Sequence, residues 1–183
     1  IDALVAAARA LLLPLGWGIR SVGRFGDCLF LAFATALRCS GSSLDADSPL
    51  AMRSRVAAWL TSRVTSDDAF AMSFVSQLHD GFLQDCPPLL AAFDSMERGE
   101  ATLLDVMRCY TAHVTVPATY CSGSELLALA HLYGVSLSVV RLAAPSDSSP
   151  LSDAVLRSVS HFEVPSSTAT LTLLHTNAHY DAV

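Results

Sequence analysis

The chain has 183 residues, 52% of them hydrophobic and 15% charged, enough to bury a sizeable core and about the length of a single domain. A net charge of -6 with a pI near 5.3 excludes a nucleic-acid partner, which needs a basic stripe, and suits the basic surface of another protein. Five cysteines, an odd number without close pairs, exclude a disulfide scaffold and fit reduced thiols in a cytoplasmic setting, while Pro14 breaks the apolar run Ala10 to Gly18 well short of a membrane span.

In chain order, Ala3 to Leu13 reads as an apolar helix ended at Pro14, and Ile19 to Val22 as a short strand. Gly26 permits a tight turn, and the run Leu29, Phe30, Leu31, Ala32, Phe33, Ala34, Ala36, Leu37 predicts a buried helix beginning at or beside Cys28. Gly41 to Ser48 is a polar loop, Pro49 to Val64 a helix with Arg53 and Arg55 outward, and Asp67 to Leu83 another amphipathic stretch. Pro87 and Pro88 start a further helix, Gly99 breaks it, and Thr102 to His113 follows. A helix after Ser122 runs to Tyr133 and stops at Gly134; Val135 to Leu142 is a strand; Ala143 to Asp153 is a Pro/Ser loop, the most mobile segment expected. Thr170 to Leu173 alternates polar and apolar residues as a half-buried strand does, Asn177-Ala178 bends the chain, and His179 to Val183 continues extended. The pattern predicts an α/β chain of the α+β type: a small mixed sheet flanked by helices, with Cys28 and His179 meeting at one edge.

Two distant segments carry the chemistry. A cysteine at a helix start feels the positive end of the helix dipole, and a nearby imidazolium favours its thiolate, the attacking form. Amides of Gly26, Asp27 and Cys28 at the same turn are candidate donors to an oxyanion. On a strand, residues i and i+2 share a face, so Asp181 is placed to orient His179 while Tyr180 points the other way. Cys39, Cys86, Cys109 and Cys121 read as inert buried thiols, and His79, His113, His131 and His161 as packed or surface residues. The pairs Cys109/His113 and His175/His179 have zinc-like spacing but lack an accompanying Cys-x-x-Cys, so no metal and no cofactor are expected. Glu125 and Ser122 form a capping-box pattern at a helix start.

These residues resemble the ovarian tumour (OTU) domain cysteine proteases, which are mostly deubiquitinases. Gly16 to Val22 followed by Phe25-Gly26-Asp27-Cys28-Leu29-Phe30 is similar to that family's entry strand and Asp-Gly-Asn-Cys-Leu-Phe motif. Ser124 to Ala130 resembles its Glu-Leu-x-Ala-Leu-Ala helix, and His179-Tyr180-Asp181-Ala182-Val183 its His-Tyr-Asp-Ser-Val ending. The likeness runs from about Gly16 to Val183, with the nucleophile first and the base last. It implies a papain-related fold over the whole chain, a Cys28-His179-Asp181 triad, an oxyanion backbone at Phe25, Gly26 and Asp27, and ubiquitin or a ubiquitin-like protein as partner. Tyr120, the aromatic nearest the position of a family Trp, and Tyr180 fall at the implied substrate side.

The sequence departs from the pattern at two positions, Phe25 in place of an Asp and Asp27 in place of an Asn. A carboxylate at Asp27 opposes thiolate formation unless it turns back to cap the helix. Two other readings share these residues: a viral polyprotein-processing protease acting in the host cytoplasm, suggested by a chain that starts at Ile1 without Met as if excised from a longer one, and a module that holds ubiquitin without cutting it. All 11 basic residues are arginine. The absence of lysine would spare a protein working beside ubiquitin ligases from modification, but the scarcity of Ile and Asn favours a GC-rich coding sequence as the cause. A monomer with no membrane contact is expected.

Overall fold

Proline and small polar caps set where the helices begin in the computed structural model, which describes residues 2–23, 26–41, 47–81, 86–121, 123–143, 155–167, 169–176 and 179–183. Helix α1 spans Asp2–Leu12 and ends in a 3-10 turn, Leu13–Leu15, built on Pro14. Helix α2 is Cys28–Cys39; α3 is Pro49–Ser66, opened by Ser48, whose hydroxyl accepts from the Ala51 amide at 3.3 Å. Helices α4 (Asp68–Gly81) and α5 (Pro87–Glu97) follow, and α6 (Leu103–Thr115) starts with a capping box between Thr102 and Asp105. Helix α7, Gly123–Tyr133, is stopped by Gly134 at φ 61°, a left-handed position that favours glycine.

The four strands are β1 (Ser136–Ala143), β2 (Val155–Phe162), β3 (Thr170–Thr176) and β4 (His179–Ala182), in the order β2-β1-β3-β4. β1 runs parallel to β3 and antiparallel to β2, and β3 antiparallel to β4, so the sheet is mixed as the sequence predicts. The predicted strand at Ile19 to Val22 reduces to one bridge, Arg20 to Ala182. The ladder goes no further because the Val22 amide donates to the side chain of Asp181, at 3.0 Å, instead of to backbone. The expected loops over 143–153 and 41–48 fall largely outside the described residues, as do the end of the predicted 67–83 stretch, the Asn177-Ala178 bend, Ser122 and Phe25.

Helix α2 is apolar nearly all round because it is enclosed, packed on β3 and β4 on one side and near α3 on the other. Phe30, Phe33 and Leu37 are fully buried there with Met52, Leu60, Met107 and Leu129 from the surrounding helices. A smaller cluster sets Ala8 of α1 against Leu142 and Leu174 on the sheet. No helix among the described residues is long and apolar enough to cross a membrane.

Helix α3 corrects one expectation. Arg55 is exposed and pairs with Asp47 at 2.5 Å, but Arg53 faces inward with 0% of its surface exposed. The stripe Arg53, Val56, Ala57, Leu60, Val64 follows the helical period, so position 53 belongs to the buried face and its charge must be met inside.

The buried Tyr110 of α6 donates its hydroxyl to Glu125 in the first turn of α7, tying two helices together through a carboxylate with no exposed surface. Removing one partner of a buried hydrogen bond forfeits that bond without returning the remaining polar group to water. Tyr110→Phe is therefore expected to lower unfolding free energy by about 1.5–3 kcal/mol, read from urea denaturation with an unchanged m-value.

Candidate active site

The first turn of α2 and the edge strand β4 bring the two predicted segments together, for α2 packs directly on β4. Cys28 is the first residue of α2 and is buried, with 3% of its surface exposed. The backbone amides of Tyr180, Leu29 and Cys28 itself favour the charged form of its sulfur, and the charge of Asp181 opposes it. On β4, His179 and Asp181 share a buried face, with the His179 Nε2 3.1 Å from Asp181 Oδ1. The same oxygen accepts from the Val22 amide, so the entry segment and the imidazole hold the carboxylate from two directions. Among the described residues Asp181 Oδ2 has no hydrogen-bond partner.

The sequence predicts a lowered thiol pKa, whereas in the free structure burial pushes the Cys28 thiol up. Desolvation is the largest cause, the amides of Tyr180 and Leu29 oppose it, and the Asp181 carboxylate raises it further. Burial thus favours the neutral form of this thiol in the free structure.

Asp27 does not cap α2: it precedes the helix without a side-chain cap bond. Its Oδ1 instead accepts from Arg53 Nε at 2.8 Å and from the Ala118 amide at 3.2 Å. The carboxylate beside Cys28 is therefore met by a cation, which removes the conflict expected from an acid next to a thiolate. Gly26 is needed for close approach and not for a left-handed turn. A Cβ there would overlap the carbonyl of Ala118 and press on Thr119, so the turn and the 118–119 backbone touch in a way only glycine allows.

Of the aromatic residues placed at the substrate side, Tyr120 is 55% exposed on the segment beside this turn. Tyr180 packs against the core with its ring stacked on His175, centroids 4.6 Å apart, and burial pushes its phenol up to about 12. His175 pairs across the ladder with Tyr180 and His179 with Thr176, so the two imidazoles lie on opposite sheet faces and do not share an ion. No group of three or more metal-ligating side chains forms among the described residues. Burial, the leading cause, pushes the Cys121 thiol up to about 11, which suits an inert neutral group.

Sequence reasoning missed Arg53 and the segment from Val114 to Cys121 that it binds. The signal for Arg53 was present, as a lone cation on the apolar stripe of α3, but its charge argued for solvent. Nothing in the spacing links Thr119 to Asp27.

No protein-family model and no curated protein matches the sequence. The fold is similar to that of the OTU domain of OTUD1, with a TM-score of 0.57 at 16% identity over 99% of this chain and 94% of that one. It is also similar to the viral OTU domain protease from Farallon virus, with a TM-score of 0.56 at 16% identity over 90% of this chain and 82% of that one. The chain has the OTU-domain fold, an α+β arrangement of seven helices and a four-stranded mixed sheet among the described residues.

The raised thiol generates a test. In the free protein, alkylation of Cys28 by iodoacetamide should rise with pH through a midpoint above that of a free cysteine in water, because burial favours the neutral form. Mass-spectrometric rates at Cys28 and for added free cysteine across the pH range measure both midpoints, and a Cys28 midpoint below that of the free amino acid would contradict burial as the controlling cause.

Proposed function

We propose that the chain is a cysteine peptidase that hydrolyses the bond after the C-terminal Gly of ubiquitin or a ubiquitin-like protein. The observation that carries this reading is the His179–Asp181 pair, 3.1 Å apart on an edge strand packed against the helix that begins with Cys28. A thiol at a helix start, with that helix packed on a strand that carries an imidazole and its own carboxylate, supplies the groups nucleophilic acyl transfer requires. The OTU-domain fold and the three sequence motifs favour ubiquitin as the acyl donor.

In this reading His179 takes the Cys28 proton as the sulfur attacks the Gly carbonyl, forming the S–C bond and a tetrahedral oxyanion. Amides of Gly26 and Asp27, with Phe25 as a further candidate, stabilise that charge, and Asp181 supports the imidazolium. The C–N bond then breaks as His179 returns the proton to the leaving amine. Water, deprotonated by the same imidazole, cleaves the thioester and regenerates the thiol. Burial and the charge of Asp181 raise the thiol's pKa while the amides around the sulfur oppose them, so charging the sulfur is the part of the step that His179 has to assist. We place the reaction in the cytoplasm, where the five free cysteines stay reduced.

A ubiquitin bearing an electrophile at its C-terminus should label Cys28 and leave the other four cysteines unmodified, as peptide mapping would show. Labelling that persists in Cys28→Ala, or a wild-type protein that binds ubiquitin without turnover, would remove the peptidase reading. Asp181→Asn keeps an acceptor for Val22 but loses the charge that steadies the imidazolium. It should lower kcat on a fluorogenic ubiquitin substrate on the order of 10²-fold or more with KM changed little.

A further inference from the structure

Arg53 uses its whole guanidinium. Nε donates to Asp27 Oδ1 at 2.8 Å; one terminal nitrogen donates to the Val114 carbonyl at 2.8 Å and the Thr119 hydroxyl at 2.9 Å, with Cys121 Sγ at 3.4 Å. The other terminal nitrogen donates to the Gly26 carbonyl at 3.0 Å and the Thr119 carbonyl at 2.7 Å, and the face of the group lies 4.6 Å from the centroid of Phe30. Its acceptors come from two stretches far apart in the chain: the turn that delivers Cys28 and the 114–121 segment lying against that turn.

The contact with Gly26 has a directional consequence. In a trans peptide the C=O and the next N–H point to opposite sides. With the Gly26 carbonyl turned to Arg53, the Asp27 amide is turned away from it. The same cation that fixes this peptide plane also holds the Asp27 side chain, so neither can rotate while Arg53 stays in place.

We infer that Arg53 is a positioning residue for the oxyanion donors: by locking the Gly26–Asp27 peptide and clamping it to Thr119, it holds the Asp27 amide ready for a developing oxyanion. It does so from α3, not from the turn itself. Lysine is no substitute, since a single ammonium cannot reach acceptors on both sides of a planar fork. The inference deepens the peptidase reading and rests on it, but it has its own chemical signature.

The test compares two reactions of the same sulfur. p-Nitrophenyl acetate acylates Cys28 through an oxyanion: the S–C bond forms, the C–O bond breaks, p-nitrophenolate leaves and His179 accepts the thiol proton. Iodoacetamide alkylates the sulfur by displacing iodide, with no oxyanion. In Arg53→Lys, acylation should fall on the order of 10²-fold relative to alkylation, whereas a merely structural role would lower both together. A folded Arg53→Lys with the wild-type ratio would overturn the inference. If Arg53→Lys does not fold, Asp27→Ala decides, because the half-buried carboxylate is less demanding to remove. The ratio should fall in the same direction, and an unchanged ratio in folded Asp27→Ala would equally overturn it. A wild-type protein that reacts with both small reagents yet cleaves no ubiquitin conjugate would sink the substrate assignment alone and leave the role of Arg53 to be judged by the ratio.

Discussion

A guanidinium with no exposed surface is the constraint around which this molecule is organised. Burying a cation is costly unless its donors are met, and removing one partner of such a pair typically costs about 3–5 kcal/mol. Here carbonyls of Gly26, Val114 and Thr119 and the carboxylate of Asp27 meet it, so the helix α3, the start of α2 and the segment after α6 are held in a single relative arrangement. The glycine at position 26 belongs to the same constraint, because the backbone of Ala118 can approach the turn that closely only where no side chain intervenes.

The site joins that rigid turn to the edge of a sheet. β4 is only four residues long and sits at the open end of the order β2-β1-β3-β4, yet its inward face carries both His179 and Asp181. The entry segment covers this edge with one backbone bridge at Arg20 and one bond from Val22 to Asp181. An otherwise unpaired edge strand is thereby closed by the chain that leads to the nucleophile, and its acid is held by the same contact.

Around Cys28 two influences compete. Amides at the helix start and from Tyr180 favour the thiolate, but burial, the largest cause, and the Asp181 charge outweigh them and raise the thiol's pKa. For the proposed peptidase this means that attack has to overcome the cost of charging a buried sulfur. A neutral resting thiol is also less open to oxidation, since oxidation follows thiolate character and exposure.

The one-dimensional pattern by itself determined the helices and most strands, because apolar period, proline starts and glycine stops are local. The break at Gly99, the start at Pro87 and the stop at Gly134 all fall where the sequence places them. It also determined that His179 and Asp181 share a face, since the two-residue strand period needs no knowledge of what packs nearby. Only the tertiary structure decided the direction of Arg53, the partner of Asp27 and the direction in which the Cys28 thiol is shifted. Each depends on groups brought near from distant parts of the chain: Asp27 and Thr119 lie far from Arg53 in sequence, and a thiol's pKa reflects how much water the folded chain removes from it. A charge read alone belongs in solvent, and only when its acceptors are in place does the interior become the more favourable site.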